Sequence, residues 1–386
     1  MNEPPPLRVL HVASGDLWAG AEVQAYTLLR ALQAAAGIEV SAALLNEGEL
    51  AQRLRTAGIP VHVFSETDSS AARILMGLRA LMSSWRPDIV HTHRIKENVL
   101  GSFANLLSRR APCVRTVHGA AEHGKQGLLR LHRRLFHHLD HWCARLLQDR
   151  VVAVSAELKQ KLSVSLPAEK VIAIENGVDI AATRAQVATA NFRANAPAGV
   201  HVGLVGRLVG VKRADLFLAT AASLRRSHTH VPWHFHLIGE GPLAGPMKEL
   251  ANGLSLGSSV TFHGHRSDVV SCISSLDLLM LTSDHEGLPM VALEALAVGT
   301  PVIAHAVGGL VDLMRGAGSC VLVADQDAQV YADAVLASLA SPRERNVFEF
   351  DAAIRRYSAA ANASRMTQLY RELHDGSRSK PTTLDT

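Results

Sequence analysis

The sequence predicts an α/β protein built from two doubly wound, Rossmann-like domains facing each other across a deep cleft. Three observations predict it. Short, nearly continuous apolar runs rich in β-branched residues alternate with amphipathic helical patterns, as in parallel sheets covered on both faces. The alternation breaks once, over the Ala/Asn-rich residues 179–200, and then restarts. The chain has 386 residues, 48 % apolar and 19 % charged, enough for two cores of ordinary size and too apolar for disorder.

Strand candidates in the first series are residues 7–13, 39–45, 60–64, 88–92, 113–117, 150–154 and 171–175. The second series runs 201–205, 234–238, 259–262, 276–282, 301–304 and 320–324. The expected division is a first domain over 1–190, a second over 200–360, and a C-terminal helix with a polar tail over 361–386 that crosses back toward the first. In such sheets ligands collect at the carboxyl ends of the strands, so that is where functional residues are sought.

Composition removes several function classes. Thirty-nine Lys+Arg against 35 Asp+Glu is too even a balance to argue for nucleic acid. Cys113, Cys143, Cys272 and Cys320 lie far apart, with neither a disulfide framework nor a cysteine metal site suggested. The opening MNEPPPLRVLHV lacks a basic region before an apolar stretch and is not expected to be a secretory signal. The apolar run 291–311 contains Glu294, Pro301, His305 and three glycines, which argues against a membrane span. A cytoplasmic protein is expected, peripheral on the inner face of the plasma membrane if its basic helix meets lipid.

Three nucleotide-like patterns are eliminated. Gly239-Glu-Gly241 has the wrong following spacing for a dinucleotide loop, and Gly206-Arg-Leu-Val-Gly210-Val-Lys212 lacks the ending of a phosphate-cradling loop. Asp325-Gln-Asp327 reads as a helix cap rather than a metal pair.

The most informative stretch is Ser283 to Gly299, where Glu286 and Glu294 stand eight residues apart around a helix start at Pro289. At 1.5 Å per residue they lie at most about 12 Å apart along the axis, a span that suits a long polar ligand with an anionic middle. Gly287 and Leu288 would offer backbone N–H groups to that middle. The plain alternative is an N-terminal dipole partner at Glu286 and an ion pair at Glu294. Arg207 and Lys212 follow strand 201–205 across a glycine-containing turn, where two cations can neutralise a diphosphate. Only 8 of the 39 basic residues are Lys, so Lys212 stands out, although either cation alone would read as a solvated helix start. Ser14-Gly15 to Gly20-Ala-Glu22 opens a helix after the first strand, and glycine there permits close backbone approach. His118-Gly119 ends strand 113–117 on the ligand side, while Asn176-Gly177-Val-Asp179 reads as a structural turn. Residues 125–150 predict one helix, with Leu128, Leu131, Leu135, Leu139, Trp142 and Leu146 on an apolar stripe and arginines and histidines over the rest. It can bury the stripe in its own domain or lie on an anionic membrane.

Together these residues resemble the retaining glycosyltransferases of family four, which have the GT-B fold. The resemblance is strongest over 201–314 and most specific at Glu286-x7-Glu294 with the following Gly-Thr-Pro-Val-Ile-Ala and Gly308-Gly309. It also includes Gly206-Arg207-Leu with Lys212, Gly239-Glu240-Gly241-Pro242, Pro87-Asp-Ile-Val-His-Thr-His93 and Thr116-Val-His118-Gly119. The resemblance implies that Arg207 and Lys212 hold the donor diphosphate. Glu286 would bind hydroxyls of the donor sugar, with Gly206, Gly287 and Leu288 against the donor, and Glu294 would hold the ribose. His265 and Arg266 would flank the base, Gly20 would approach the phosphate, and His118 would touch the transferred sugar. Ala19 stands where the family often has a first glycine.

The implied reaction moves a sugar from a UDP- or GDP-linked donor to a saccharide or lipid-linked saccharide acceptor, with retention, no cofactor and no metal. An epimerase or hydrolase on the same fold, and a non-catalytic nucleotide-sugar-binding protein, are the alternatives. Donor base and sugar, acceptor, linkage and oligomeric state are not legible.

Overall fold

The computed structural model describes residues 5–119, 129–187, 198–340, 348 and 350–378. The chain divides into two compact units, Met1–Gly177 with Ala359–Thr386, and Val178–Ser358. Residues 178–190, expected in the first domain, are therefore counted with the second unit.

The first unit holds β1 (Leu7–Ala13), β2 (Ile38–Leu44), β3 (Val61–Val63), β4 (Ile89–Thr92), β5 (Cys113–Val117), β6 (Arg150–Ala153) and β7 (Val171–Ala173). They form one sheet in the order β3-β2-β1-β4-β5-β6-β7, with every pairing parallel. The second unit holds β8 (Val200–Val205), β9 (Trp233–Ile238), β10 (Val260–Gly264), β11 (Leu278–Leu281), β12 (Val302–His305) and β13 (Val321–Val323). Their order is β10-β9-β8-β11-β12-β13, again all parallel. All thirteen strand segments read from the sequence are strands, because β-branched residues fit a pleated surface buried on both faces.

Parallel strands need crossover helices, and these cover the faces. Helix Gly20–Gln33 buries Leu28, Leu29 and Leu32 on the first sheet, and helix Ala214–Ser227 buries Phe217, Leu218 and Leu224 on the second. The C-terminal helix Ala359–Arg378 returns to the first unit, placing Ala363, Met366, Leu369 and Tyr370 in its core. In each sheet the strand order reverses once, between β1 and β4 and between β8 and β11, which opens a crevice at the strands' carboxyl ends.

Two local expectations change. In the stretch 179–200, Ile180–Val187 is a helix capped by the Asp179 carboxylate, which accepts from the Ala182 amide at 3.0 Å. The basic helix is described from Leu129 to Leu146, and its residues 125–128 lie outside the described residues. Among its described side chains the inward face is Asp140, Cys143 and Ala144. Trp142 and Leu146, expected on a buried stripe, are 43 % and 61 % exposed. The inward face is set instead by a buried ion pair, Asp140 with Arg115 of β5 at 2.9 Å. No helix among the described residues is long and apolar enough to cross a membrane, and in the run 291–311 the first helix is only Met290–Ala297.

Candidate functional site

In the second unit, the site grows from the crevice between β8 and β11. Gly206 ends β8 with φ at +148°, a conformation glycine adopts without strain, and the chain turns through Gly210–Lys212. After β11, the Thr282 hydroxyl lies 2.8 Å from the Lys212 carbonyl and 2.9 Å from that of Arg213. The Asp284 amide donates to the Val211 carbonyl at 2.9 Å. These bonds stitch the two loops together, and Lys212 Nζ donates to Glu286 Oε1 at 2.5 Å. Ser283 Oγ donates to the same carboxylate oxygen at 2.7 Å. Arg213, in the left-handed region at φ +49°, is held by Asp215, Asp284 and Gln326.

A second brace comes from beyond β12. A Cβ on Gly308 would lie 2.0 Å from the Glu286 carbonyl oxygen, and the Gly309 amide donates to Gly287 O at 2.6 Å. The Gly308-Gly309 backbone therefore presses directly on the loop that carries Glu286. Gly287 and Leu288 are buried in it, so any contact they make with a ligand is through backbone. Arg207 stands exposed at the end of β8.

Glu294 sits half-buried in helix Met290–Ala297, between buried Leu293 and Ala295, and Gly299 at φ +75° closes the helix. Burial alone pushes its carboxyl up to about 7, and no ion-pair partner for it is found among the described residues. The ion-pair alternative for Glu294 is thus not met. His265 is exposed after β10, with its amide donating to Glu240 Oε1 at 3.1 Å. Arg266 is tied to Asp268 through two bonds, at 2.7 and 2.6 Å. The fork occupies Nε and Nη2 of the guanidinium. Asp327 caps helix Ala328–Ala340, accepting from the Gln329 and Val330 amides, as its D-x-D pattern suggests.

The structure thus joins Gly206, Lys212, Glu286 and Gly287 in one constellation and leaves His265 and Arg266 on a neighbouring loop. Sequence reasoning missed Ser283 and Glu240. The S-x-x-E spacing of Ser283 and Glu286 was a usable signal, since it is the spacing of reciprocal capping.

In the first unit, Gly20 opens its helix with no atom within 4 Å of where a Cβ would stand. The preceding loop is tied to Arg94, which follows β4 and pairs with Glu22 at 2.7 Å and Asp16 at 3.8 Å. Glu97, one turn further on, is buried, and burial pushes its carboxyl up to about 7. His118 follows β5 and stacks on His93 at 5.3 Å between ring centres. His11, His91 and His93 form a buried group whose nearest nitrogens lie within 4.8 Å of one another. Each ring nitrogen of the three already lies within bonding distance of a protein group, so an ion would enter only by displacing those bonds. Burial drives His11, His91 and His118 well below the ordinary histidine range, and His93 to about 4, so all four are neutral near pH 7.

Two family models match the chain: "Glycosyltransferase Family 4" over residues 18–182 and "Glycosyl transferases group 1" over residues 199–341. A D-inositol 3-phosphate glycosyltransferase from Corynebacterium urealyticum is 34 % identical over 183 residues, covering 45 % of this chain and 43 % of its own length. An Escherichia coli UDP-Gal:alpha-D-GlcNAc-diphosphoundecaprenol alpha-1,3-galactosyltransferase is 28 % identical over 244 residues, 61 % of this chain and 62 % of its own. The chain therefore spans less than two thirds of the length of these curated relatives. The crystal structure of Anabaena Alr3699/HepE in complex with UDP-glucose superposes with a TM-score of 0.78 at 17 % identity, covering 95 % of this chain and all of the other. That likeness establishes the two-domain α/β architecture of GT-B glycosyltransferases.

Proposed function

We propose, for a chain that belongs to the family 4 and group 1 glycosyltransferases, transfer of a sugar from a nucleotide-diphosphate donor to an acceptor hydroxyl with the α configuration retained. The observation that carries this reading is the Lys212–Glu286 pair at the strand-order reversal of the second sheet. Lys212 offers positive charge to a diphosphate and Glu286 offers acceptors to sugar hydroxyls. In the free protein each group satisfies the other. A bound donor substitutes phosphate oxygens for the Glu286 carboxylate at Lys212 and releases Glu286 to the sugar, with the charges already in place. Arg207 adds the second cation at the end of β8. The departing diphosphate is stabilised by these two side chains, which take the part a divalent ion would otherwise play. No carboxylate is assigned as a nucleophile, and a same-face displacement in which the leaving phosphate takes the acceptor's proton fits this donor set. Glu294, an acid without a salt-bridge partner among the described residues, suits two ribose hydroxyls. His118 touches the transferred sugar, Gly20 approaches the phosphate, and His265 flanks the base with Arg266.

A UDP-linked donor is favoured because one relative is named for UDP-Gal and one solved neighbour is a complex with UDP-glucose. The acceptor we favour is a lipid-linked saccharide of surface-polysaccharide or lipopolysaccharide assembly. Exposed Trp142 and Leu146, beside exposed Arg145, support a peripheral seat on the anionic inner face of the plasma membrane. The reading is tested by thermal shift with UDP, GDP, ADP and their sugar conjugates. A ligand at about 100 times its dissociation constant adds roughly 2.7 kcal/mol of stability. One base should shift the wild type and leave Lys212→Ala unmoved. No shift with any of them would remove the transferase reading, and donor consumption indifferent to every acceptor would favour a hydrolase. Failure of anionic vesicles to retain the protein at low salt would remove the membrane seat.

A further inference from the structure

The buried histidines of the first unit form one continuous series of contacts. Thr116 Oγ1 lies 2.8 Å from His91 Nε2, and His91 Nδ1 lies 2.5 Å from the Tyr370 hydroxyl. That hydroxyl is 3.5 Å from His11 Nε2, the longest link. His11 Nδ1 is 3.1 Å from His93 Nε2, and His93 Nδ1 is 3.1 Å from His118 Nε2. The series ends at His118 Nδ1, which is buried and has no hydrogen-bond partner among the described residues. β1 and β4 supply it at the strand-order reversal, since His11 is the register partner of His91, and His93 is two residues on along the same face.

A neutral imidazole has one donor and one acceptor nitrogen, so neutral rings in series must all point the same way. Two senses exist. If hydrogens run from His118 toward Thr116, then His91 Nε2–H donates to the Thr116 oxygen. The Thr116 hydroxyl hydrogen is then left over inside the protein, because no second partner for it exists among the described residues and Thr116 is 5 % exposed. Leaving a buried donor unmade costs about 1–3 kcal/mol. In the opposite sense Thr116 donates to His91, His91 to Tyr370, Tyr370 to His11, His11 to His93 and His93 to His118. Every link then has one donor and one acceptor, and the one group left over is His118 Nδ1–H, whereas the first sense leaves both the Thr116 hydroxyl hydrogen and the His118 Nδ1 lone pair unmet.

We propose that Thr116 and Tyr370 fix the tautomer of His118, so that this residue presents Nδ1–H as a hydrogen-bond donor to an oxygen of the bound sugar. The group is a donor and not a base. Thr116, His91, Tyr370, His11 and His93 are positioning residues acting through it. The inference rests on the reading that His118 faces the transferred sugar, but its first test does not.

Long-range proton–nitrogen NMR on the ligand-free protein with ¹⁵N-labelled histidine distinguishes the two tautomers directly. His118, assigned by its loss in His118→Asn, should be protonated at Nδ1 alone. Protonation at Nε2, or at both nitrogens near pH 7, would overturn the proposal even if the protein transfers sugar. Tyr370→Phe and Thr116→Val should each turn the single His118 signature into a mixture and lower kcat about two- to tenfold, in proportion to the competent fraction. Thr116→Ser, which keeps the terminal donor, should restore both. If the valine variant fails to fold, the serine and phenylalanine variants still carry the comparison. An unchanged signature in Tyr370→Phe would also overturn it. A correct tautomer in a protein that turns over no donor would instead sink the transferase reading and leave the tautomer assignment standing.

Discussion

The two sheets have the same kind of crevice and fill it with opposite chemistry. Between β8 and β11 the strand ends carry a charged pair, Lys212 and Glu286, with side chains 23 % and 9 % exposed. Between β1 and β4 they carry His11, His91 and His93, all buried and held neutral, and the charged Arg94 beside them is already paired to Glu22 and Asp16. A charge at a strand end can neutralise an anion. A neutral ring can only direct a hydrogen bond. On the proposed reading, this difference would let the second unit hold the charged donor and the first direct hydrogen bonds to the sugar. Such a division suits an enzyme whose donor is an anion and whose acceptor is a sugar.

The sharpest way to break that comparison is Lys212→Ala. Losing a preorganised cation at a developing charge costs on the order of 10²–10³ in kcat. Turnover of a labelled nucleotide sugar should fall by that factor, with the nucleotide-induced thermal shift abolished. His118→Asn should lower turnover less and leave the nucleotide shift intact. Equal losses of nucleotide shift in both variants would erase the distinction between the units.

The next test compares two glycines. Gly308→Ala places a Cβ at 2.0 Å from the Glu286 carbonyl and demands a left-handed backbone at φ +59°. It should cost about 3 kcal/mol in urea unfolding and displace the loop that carries Glu286. Gly20→Ala meets open space and should stay within about 0.5 kcal/mol. If the Gly20 variant nevertheless loses nucleotide-sugar binding, the missing methyl serves a ligand rather than the fold.

How far the sequence carried each of these features has a physical explanation. The strands were legible because residues buried on both faces of a parallel sheet must be apolar throughout, which is a local pattern. The placement of Glu286 before a helix and Glu294 within it was legible because one loop-and-helix segment carries both. The helix Leu129–Leu146 misled because its inward face is set by Asp140 meeting Arg115, a long-range pair that periodicity cannot see. The Arg266–Asp268 fork was not read from the sequence, although the two residues stand only two apart. The histidine series was half legible. His91 and His93 share a face by alternation, but Tyr370 stands 279 residues from His91 in sequence, and only the folded chain joins them.

The smallest expected effect concerns pH, and its sign differs between the crevices. Glu294 sits at about 7 against an ordinary 4.5, so the folded state keeps a proton that the unfolded chain releases. Stability at helix Met290–Ala297 should therefore fall as pH rises from about 4.5 to 7. His93 sits at about 4 against 6.5, so the unfolded chain binds a proton that the folded state refuses. Stability at β1 and β4 should rise over pH 4 to 6.5, with His11, His91 and His118 adding in the same direction. Glu97, at about 7 in the same unit, offsets part of that rise. Each local effect is on the order of 1–2 kcal/mol. Hydrogen exchange read segment by segment at pH 5 and 7, corrected for the intrinsic rate, should show protection moving in opposite directions. Glu294→Gln should flatten the trend in the helix and leave that of the strands. The same sign in both segments would mean that the neutral and charged crevices do not titrate as their burial requires, and the contrast between them would fail.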